Sequence, residues 1–481
     1  MKIVGTKFCG HDSAICVLDF SQESIFAMST ERVTRIKHDT MDISPILENY
    51  DLHYVDYVAH SYSDFEDKGH DGELREKMTH TKGIEKALRR IIKPQYIADL
   101  AITKKEKKKR IYKAIFDDFD AFKSYYIAKF KRAITIENPE KNKRAFSGFI
   151  LRNFHNFGLF PKKVFFHDHH LCHAIPSYFL SPFNGQKAIA LTLDGQGDGF
   201  FSKAFLFSES QEYELIGESK ADFLGKDDWY LSIGRIYNYF TKAMDLRANS
   251  DEGKVEALAA FGKPDMEFLQ LLKSTSKINT ETMSIDYDNG KILPFYNLAW
   301  LKRQREKIGD ENFCSVVQTY LEDTVVEYLN AIYEKYQCSN LCLSGGVAAN
   351  IIMSLNIYER TNFKNIYVLP PMGDEGLAIG SAILSAIDLG LDIGWLRNYE
   401  MPYFGDSIAR SSVIEASKEF HNIEIKDFQD SWPEAAAALV ANGKICAIVQ
   451  GKMEFGPRAL GNRSIIANPG IESIRDRINS N

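Results

Sequence analysis

The order of apolar and polar positions at the start of the chain predicts a small meander of three strands. Residues 2–8 form a mostly apolar run, the turn "CGHDS" follows, and "AICVLDF" and "SIFAMST" supply two further runs. Runs of this length, rich in β-branched and aromatic residues and bounded by Gly, Asp and Ser, are typical of strands joined by turns. We therefore expect a sheet whose first turn carries Gly, His, Asp and Ser.

Residues 187–208 repeat this design. "KAIALTL" predicts a strand, "DGQGDG" a turn and "FFSKAFLF" the returning strand, about 185 residues after the first hairpin. Paired hairpins with small or acidic turns are how actin-like ATPase folds hold a nucleotide's phosphates from two sides. The repeat therefore indicates either such a duplicated fold or two unrelated hairpins.

The rest of the chain has a helical pattern in residues 70–160 and alternating strand and helix patterns in its C-terminal part. Residues 70–160 predict a helical insertion that carries the basic block "KKEKKKR", which is either a solvated face or a site for an anionic partner. Residues 310–340 predict one long amphipathic helix, after which strands and helices alternate as in an α/β sheet. The pattern breaks near residues 397–407, where we place a domain boundary, and residues 408–481 predict helix, strand, helix and strand.

Composition narrows the class of protein. The 481 residues allow two to four domains, and 44% hydrophobic with 26% charged residues is ordinary for a globular protein. A net charge of −6 makes nucleic acid an unexpected partner. The N-terminus lacks the apolar core of a secretory signal, no apolar run is long enough to predict a transmembrane helix, and the seven cysteines form no CxxC pair. We expect a cytoplasmic protein without a membrane span, zinc ribbon or disulfide framework.

Three turns are candidates for holding a nucleotide. In "SGGVAAN", Gly345 and Gly346 let a ligand or a strand approach the backbone, and we place Asn350 one turn into the following helix, within reach of a ribose or base. In "DGQGDG", the carboxylates of Asp194 and Asp198 suit a cation or orient a hydroxyl group, or else only stabilise a tight turn. In "DEGKVEALAAFG", Lys254 either pairs with a phosphate or lies on the surface.

Four of the chain's 12 histidines fall within "HDHHLCHAIPSY". His169 and His173 are four residues apart, which on a helix puts both imidazoles on one face where they can share a metal ion. Asp374, a turn residue after a strand in "PPMGDEGLAIG", is the candidate third ligand. Pro176 removes a helical hydrogen bond, so we expect the helix to last one turn or to begin nearer Pro176. The alternative is that these histidines only cap and pack.

The segment "GKMEFGPRALGNRS" is a candidate anion site. Arg458, Arg463 and Ser464 lie among glycines and apolar residues, which is unusual company for surface arginines. A planar guanidinium matches two phosphate or carboxylate oxygens at once, and glycines let backbone amides join it.

Together, these motifs resemble the ATP-dependent O-carbamoyltransferases of nodulation-factor and antibiotic biosynthesis. The resemblance rests, in the family's order, on "GHDSA", "ERVTRIKHD", "HHLCHA", "DGQGD", "EGKVEALAAFG", "LSGGVAAN", "GDEGLAIGSA" and "MEFGPRALGNRS". It implies an α/β protein with a duplicated actin-like (ASKHA) ATPase fold over residues 1–400, interrupted by the helical insertion. It further implies that residues 401–481 are the N-terminal part of an α+β YrdC-like domain.

The resemblance also implies a reaction and its site. ATP, with Mg²⁺, and carbamoyl phosphate would form carbamoyl adenylate, and the carbamoyl group would pass to a hydroxyl of a sugar, nucleoside or other small acceptor. The residues matching the nucleotide site are Asp194, Gly195, Lys254, Gly345, Gly346 and Asn350. Those matching the carbamoyl phosphate site are Arg458, Arg463 and Ser464. A divalent metal, Fe²⁺ or Mn²⁺, would be held by His169, His173 and Asp374.

An acceptor hydroxyl needs a base that titrates near neutral pH. His11 in "GHDSA" and His38 in "RIKHD" are the candidates, and a structural hydrogen bond is the alternative role for each histidine. Lys37, directly before His38, is a further candidate catalytic residue.

The chain departs from the family in two respects. Ile175, Pro176 and Glu256 stand where the family usually has small residues, and a YrdC-like domain normally extends well past "GNRSIIANP", whereas this chain ends 17 residues after Ser464. We expect a truncated product or a partner subunit that completes the domain, and a homodimer is a further expectation. The competing hypothesis is a non-catalytic nucleotide-binding subunit. A sugar kinase explains less, since the histidine pair and the arginines would have no role in it.

Overall fold

The computed structural model describes residues 1–8, 12–35, 43–50, 52, 55–61, 154, 157, 159–222, 231–399 and 402–480. The predicted helical insertion and its basic block lie almost wholly outside these ranges. Numbered over the described residues, the strands are β1 Lys2–Lys7, β2 Ala14–Asp19, β3 Ser24–Ser29, β4 Tyr57–His60, β5 Lys163–Phe166, β6 Ala188–Gly197, β7 Phe200–Phe207, β8 Tyr213–Lys220, β9 Ser276–Asn279, β10 Ser284–Tyr287, β11 Asn340–Ser344, β12 Asn365–Val368, β13 Cys446–Val449 and β14 Arg463–Ile466.

The α-helices are numbered in the same way. They are α1 Glu31–Thr34, α2 Ser44–Tyr50, α3 His169–Phe179, α4 Ile233–Ala243, α5 Glu252–Ala259, α6 Met266–Lys273, α7 Asn289–Ile292, α8 Leu298–Ile308, α9 Asp310–Tyr336, α10 Ile351–Arg360, α11 Leu377–Asp388, α12 Arg410–Ser417, α13 Trp432–Ala441 and α14 Ile474–Ser480. Short 3₁₀ turns precede α10 and α11, at Gly346–Ala349 and Asp374–Gly376. No helix among the described residues has both the length and the apolar composition needed to cross a bilayer.

Two five-stranded sheets with the same strand order form the frame of the molecule. The first runs β3-β2-β1-β4-β5 and the second β12-β11-β6-β7-β8. In each, the first three strands along the chain pair antiparallel, and the other two continue parallel to the first. The five strands of the second sheet therefore repeat the topology of β1–β5. The expected duplication is confirmed, and the fold is the duplicated actin-like one.

The two halves meet through the helix that follows each sheet. Helix α3 follows β5, helix α11 follows β12, and both lie in one core with the inner strands of the two sheets. Two glycines allow this contact: a Cβ on Gly380 would lie 1.8 Å from the Cys172 carbonyl oxygen, and one on Gly5 would lie 1.9 Å from the Ala378 oxygen. The N-terminal ends of α3 and α11 are thereby brought together.

Helix α3 corrects one expectation from the sequence. It begins at His169 and runs through Pro176, so the prediction of a single turn or of a later start is wrong. Proline lacks the N–H that would bond to the Cys172 carbonyl, and Gly380 of α11 packs directly against that carbonyl instead. The helix starts where it does because the Asp168 carboxylate accepts a hydrogen bond from the Leu171 N–H at 2.8 Å.

The C-terminal residues 402–480 form a thin unit around the antiparallel pair β13 and β14. Their order along the chain is helix, helix, strand, strand, helix, which corrects the predicted alternation. Residues 451–462 of the glycine- and arginine-rich block lie in the long loop between β13 and β14, and Arg463 and Ser464 begin β14. The loop is not helical, because Gly451, Gly456 and Gly461 have positive φ angles of 49°, 129° and 105° that do not fit a helix. No residue of α12 or α13 is buried.

Candidate metal and nucleotide site

Four side chains from three separate segments converge where the two halves meet. His169 and His173 lie on one face of α3, Asp194 lies at the turn end of β6, and Asp374 opens the 3₁₀ turn before α11. One ligand atom from each lies within 4.8 Å of every other. The predicted histidine pair and the predicted carboxylate are thus brought together, and Asp194, expected beside the nucleotide, joins them.

The spacing of these atoms fits a shared cation. Atoms bound to one ion at about 2.1 Å lie roughly 3–4 Å from one another. The Nε2 of His169 is 2.9 Å from Asp194 Oδ2 and 3.9 Å from Asp374 Oδ1, and the Nε2 of His173 is 3.6 Å and 3.7 Å from the same two oxygens. At those distances the buried His173 Nε2 has no hydrogen-bond partner in the described structure. Two imidazoles and two carboxylates form a donor set that suits a divalent transition metal.

The two carboxylates of the cluster, Asp194 and Asp374, are stabilised by positive charge. Burial alone would lower the pKa of His173, but Asp194 and Asp374 raise it to about 9. Burial raises the pKa of Asp194, yet the hydrogen bond from His169 and the nearby His173 imidazole bring it well below its ordinary value. The fully buried Lys7 adds an ion pair to Asp374, with Nζ 2.8 Å from Oδ2. Two ionised carboxylates in this position are stable only beside cations.

Three glycines lie where a side chain would collide with the cluster or with the strand that carries Asp194. A Cβ on Gly197 would lie 2.1 Å from the ring of His169, and one on Gly345, whose φ is 90°, would lie 2.2 Å from the Leu193 carbonyl oxygen. A Cβ on Gly346 would lie 3.3 Å from Asp194 Oδ1. The turn carrying Gly345 and Gly346, which joins β11 to the following 3₁₀ turn, therefore lies directly against the end of β6 that carries Asp194.

Asn350 has a different position from the predicted one. It is the N-cap of α10, not a residue one turn inside it, because a 3₁₀ turn intervenes after the glycines. Its Oδ1 accepts hydrogen bonds from the Met353 N–H at 2.8 Å and from Gln318 at 3.0 Å, and its Nδ2 donates to Gln318 at 2.9 Å. Lys254 is exposed and pairs with Asp251 at 3.1 Å.

The three residues predicted to bind carbamoyl phosphate do not act alike. Arg463 donates to main-chain carbonyls of Gln450, Asn462 and Asp406 at 2.7–3.0 Å. Ser464 Oγ accepts the Gly461 N–H at 2.9 Å. The exposed Arg458 instead donates from Nη2 to the Ala349 carbonyl at 3.2 Å, so it alone among the three contacts the turn that carries Gly345 and Gly346.

His11, Lys37 and His38 lie outside the described residues. Four charged residues in or near these sites were not predicted from the sequence, namely Lys7, Arg235, Glu375 and Glu454. A detectable signal existed for Lys7, since it is a lysine within an apolar strand, and such lysines are rarely buried without a partner. Burial, with help from nearby Asp12, raises the pKa of Glu375 to about 7. Its position next to Asp374 gave no comparable signal in the sequence.

Comparison with known proteins agrees with the resemblance seen in the sequence. MJ1058 of Methanocaldococcus jannaschii, whose name assigns no activity, is 43% identical over 497 residues that cover 100% of this chain and 79% of that protein. The nodulation protein NolNO of Sinorhizobium fredii is 30% identical over 66% of this chain and 45% of its own length. The 3'-hydroxymethylcephem-O-carbamoyltransferase of Streptomyces clavuligerus is 26% identical over 48% of this chain and 42% of its own length.

The chain thus spans less than half of the length of the latter two relatives. Two family models match it, the carbamoyltransferase N-terminus over residues 2–383 and the carbamoyltransferase C-terminus over residues 437–481. Because the first model covers most of the chain, this protein belongs to the carbamoyltransferase family.

Proposed function

We propose that this protein is an O-carbamoyltransferase that activates a carbamoyl group with ATP and transfers it to the hydroxyl of a sugar, nucleoside or other small acceptor. The observation that carries the proposal is the cluster of His169, His173, Asp194 and Asp374. In this duplicated actin-like fold, the cluster lies against the turn that carries Gly345 and Gly346. The cysteines among the described residues are unpaired, which supports a reducing cytoplasm as its location.

The proposed reaction balances in three steps. Water releases carbamate and inorganic phosphate from carbamoyl phosphate. A carbamate oxygen then attacks the α-phosphorus of ATP, the bond to the β-phosphate oxygen breaks, and pyrophosphate leaves. In the last step the acceptor hydroxyl attacks the carbamoyl carbon of the adenylate, AMP leaves, and the hydroxyl proton passes to a base, for which His11 or His38 is our candidate. Carbamate itself has a poor leaving group, and adenylation replaces it with a good one.

Each part of the cluster has a place in this proposal. His169, His173 and Asp374, with Asp194, would hold a divalent ion, Fe²⁺ or Mn²⁺ by our expectation. Such an ion supplies Lewis acidity that offsets negative charge on phosphate oxygens. Gly345 and Gly346 would let the phosphates of Mg²⁺–ATP approach the backbone, opposite Asp194 and Gly195. Lys254 pairs with Asp251 on the surface, which gives it the weakest support among the proposed nucleotide residues.

The C-terminal unit would bring the carbamoyl phosphate. Arg458 supports this role because its guanidinium is exposed and already contacts the glycine turn. Arg463 and Ser464, the first two residues of β14, already bond to main-chain groups of the C-terminal unit, so a direct role for them requires those contacts to be exchanged for contacts to the substrate.

One observation favours a second candidate function, a subunit that needs a partner. Apolar side chains of the C-terminal unit are exposed, among them Phe420 at 62%, Ile425 at 60% and Ile465 at 64%. A domain normally buries such residues. We propose that another polypeptide covers these faces and completes the carbamoyl phosphate site, and a second copy of this chain is the alternative cover.

The test is incubation with ATP, carbamoyl phosphate and Fe²⁺ or Mn²⁺, followed by mass spectrometry for carbamoyl adenylate and by an assay of released pyrophosphate. We expect both products, and neither when carbamoyl phosphate is omitted. A chain that forms no adenylate but carbamoylates an acceptor from supplied adenylate would favour the subunit needing a partner. Neither activity at any metal concentration would contradict the proposed function.

A further inference from the structure

We infer that Arg235 is a binding residue for a phosphate oxygen of the nucleotide, an assignment that rests on the proposed function. Arg235 lies in the first turn of α4, and its guanidinium faces Gly195 at the turn end of β6. A Cβ built on Gly195 would lie 3.7 Å from Arg235 Nε and 4.0 Å from its Cζ. Gly195 is itself in the set of predicted nucleotide residues and follows Asp194 directly.

Helix α4 is fixed against this turn by close backbone packing. Gly234 faces it without a side chain, since a Cβ there would lie 3.0 Å from the Asp194 carbonyl oxygen and 3.1 Å from the Gly195 nitrogen. The N-cap Ser232 donates from Oγ to the Gly195 carbonyl at 2.7 Å and accepts the Arg235 N–H at 3.0 Å. The position of Arg235 relative to Gly195 is therefore determined by the fold and not by a flexible loop.

The Arg235 guanidinium lacks a partner in this arrangement. Its Nε is buried and has no hydrogen-bond acceptor, and no carboxylate in the described structure forms an ion pair with it. The oxygens of Asp194, the residue before Gly195, are engaged by the Gly195 N–H and by His169. A buried donor without an acceptor costs free energy, and a bound ligand that supplies the acceptor removes this cost.

The helix adds to the positive potential at this point. The first turn of α4 contains no acidic residue, and its free N–H groups carry partial positive charge. An arginine there is electrostatically unfavourable until an anion neutralises both. The residue is only partly buried, so the remainder of its side chain is accessible to a ligand. A phosphate group satisfies the donors of a guanidinium in pairs and matches this site in charge.

The proposal is tested by calorimetric titration of Arg235→Met with AMP-PNP and Mg²⁺, pyrophosphate, carbamoyl phosphate and adenosine. We expect affinity for AMP-PNP and pyrophosphate to fall at least tenfold, and affinity for adenosine to change less than twofold. The control is Arg303→Met, which removes an exposed arginine on α8 and should leave all four affinities unchanged. Arg235→Gln is the second neutral variant if the methionine variant melts at a lower temperature than the wild type.

The assignment is overturned if a folded neutral variant binds AMP-PNP as the wild type does, if it loses adenosine equally, or if only carbamoyl phosphate is affected. Wild-type protein that binds AMP-PNP yet forms no carbamoyl adenylate would contradict the proposed function while the Arg235 assignment stands on its own titration. Wild-type protein that binds no AMP-PNP overturns both.

Discussion

Lys7 and Asp374 form a buried ion pair in which one oxygen of the Asp374 carboxylate contacts the lysine and the other faces two histidines. The Lys7 Nζ lies 2.8 Å from Oδ2, while Oδ1 faces the Nε2 atoms of His169 and His173 at 3.9 Å and 3.7 Å. The lysine comes from β1 of the first half and the carboxylate from the second. The pair therefore joins the two halves and orients the oxygen that we propose as a metal ligand.

We expect Lys7→Met to lower the free energy of unfolding by about 3–5 kcal/mol, since it leaves a buried carboxylate without its cation. Chemical denaturation with and without Mn²⁺ measures the loss, and added metal should restore part of it. Lys254→Met is the matched control, because Lys254 forms an exposed pair with Asp251 and should cost less than about 1 kcal/mol. Equal losses in the two variants would show that the Lys7 pair contributes no more than a surface contact.

We expect His169→Ala and His173→Ala to lose bound divalent metal, while His170→Ala retains it. His170 lies on the same helix, but its ring nitrogens contact Thr192 Oγ1 at 2.8 Å and the Phe200 carbonyl at 3.0 Å, away from the cluster. Elemental analysis of the purified variants is the measurement. Full metal occupancy in both predicted ligand variants, or loss in His170→Ala alone, would contradict the assignment.

Gly346→Ala should weaken binding of metal and of nucleotide without unfolding the protein. The new Cβ would lie 3.3 Å from Asp194 Oδ1, so the carboxylate has to shift by a few tenths of an ångström. Gly253→Ala is the control, since a Cβ there has no neighbour within 4 Å. We expect at least a threefold loss of Mn²⁺ affinity in the first variant and none in the second. An unchanged affinity in Gly346→Ala would separate the glycine turn from the site.

The duplicated hairpins were predictable because alternation and turn residues are local signals. The continuation of α3 through Pro176 was not predictable, because it depends on the Cys172 carbonyl, which packs against Gly380 of another helix. Asn350 was displaced from its predicted place by a 3₁₀ turn that sequence pattern does not distinguish from the start of an α-helix. Local rules fail where tertiary contacts decide.

The candidate site was predictable in part for the same reason. The spacing of His169 and His173 is a helical property, so their shared face followed from the sequence. That Asp194 joins them, and that Lys7 supports Asp374, depends on how two separate halves meet. The spacing of residues along the chain does not predict how the two halves pack against each other.

Arg458 and Arg463 should respond differently to replacement by lysine. Arg463→Lys removes a guanidinium that donates to several main-chain carbonyls, so it should lower the melting temperature. Arg458→Lys removes one exposed contact to Ala349 and should leave the melting temperature unchanged, while adenylate formation falls at least tenfold, or about 1.4 kcal/mol. Melting curves and the adenylate assay decide the matter. Full adenylate formation in Arg458→Lys would remove this residue from the proposed carbamoyl phosphate site.

Glu454 holds the loop that carries Arg458 and that ends at Arg463, the first residue of β14. Its Oε1 accepts the N–H groups of Leu460, Asn462 and Arg463 at 2.8, 2.7 and 3.0 Å, and the residue is 3% exposed. Burial raises the pKa of this carboxyl, but the main-chain N–H donors outweigh burial and bring the pKa below its ordinary value. A carboxyl whose pKa is lower in the folded state stabilises the fold above its unfolded pKa, and this contribution disappears as the pH falls through the folded pKa.

We therefore expect Glu454→Gln to be destabilised by about 1.5–3 kcal/mol at neutral pH, because charged acceptors bind amide donors more strongly than neutral ones. The difference from wild type should shrink as the pH falls below about 4.5, where the unfolded wild-type carboxyl takes up its proton. Melting temperatures of the two proteins across this pH range are the measurement. Glu424→Gln, at an exposed glutamate in the same unit, is the control and should show no such difference. An equally large difference in melting temperature between Glu454→Gln and wild type in acid and at neutral pH would contradict the prediction. The three N–H groups would then not be bonded to an ionised carboxylate, and other contacts would stabilise the loop.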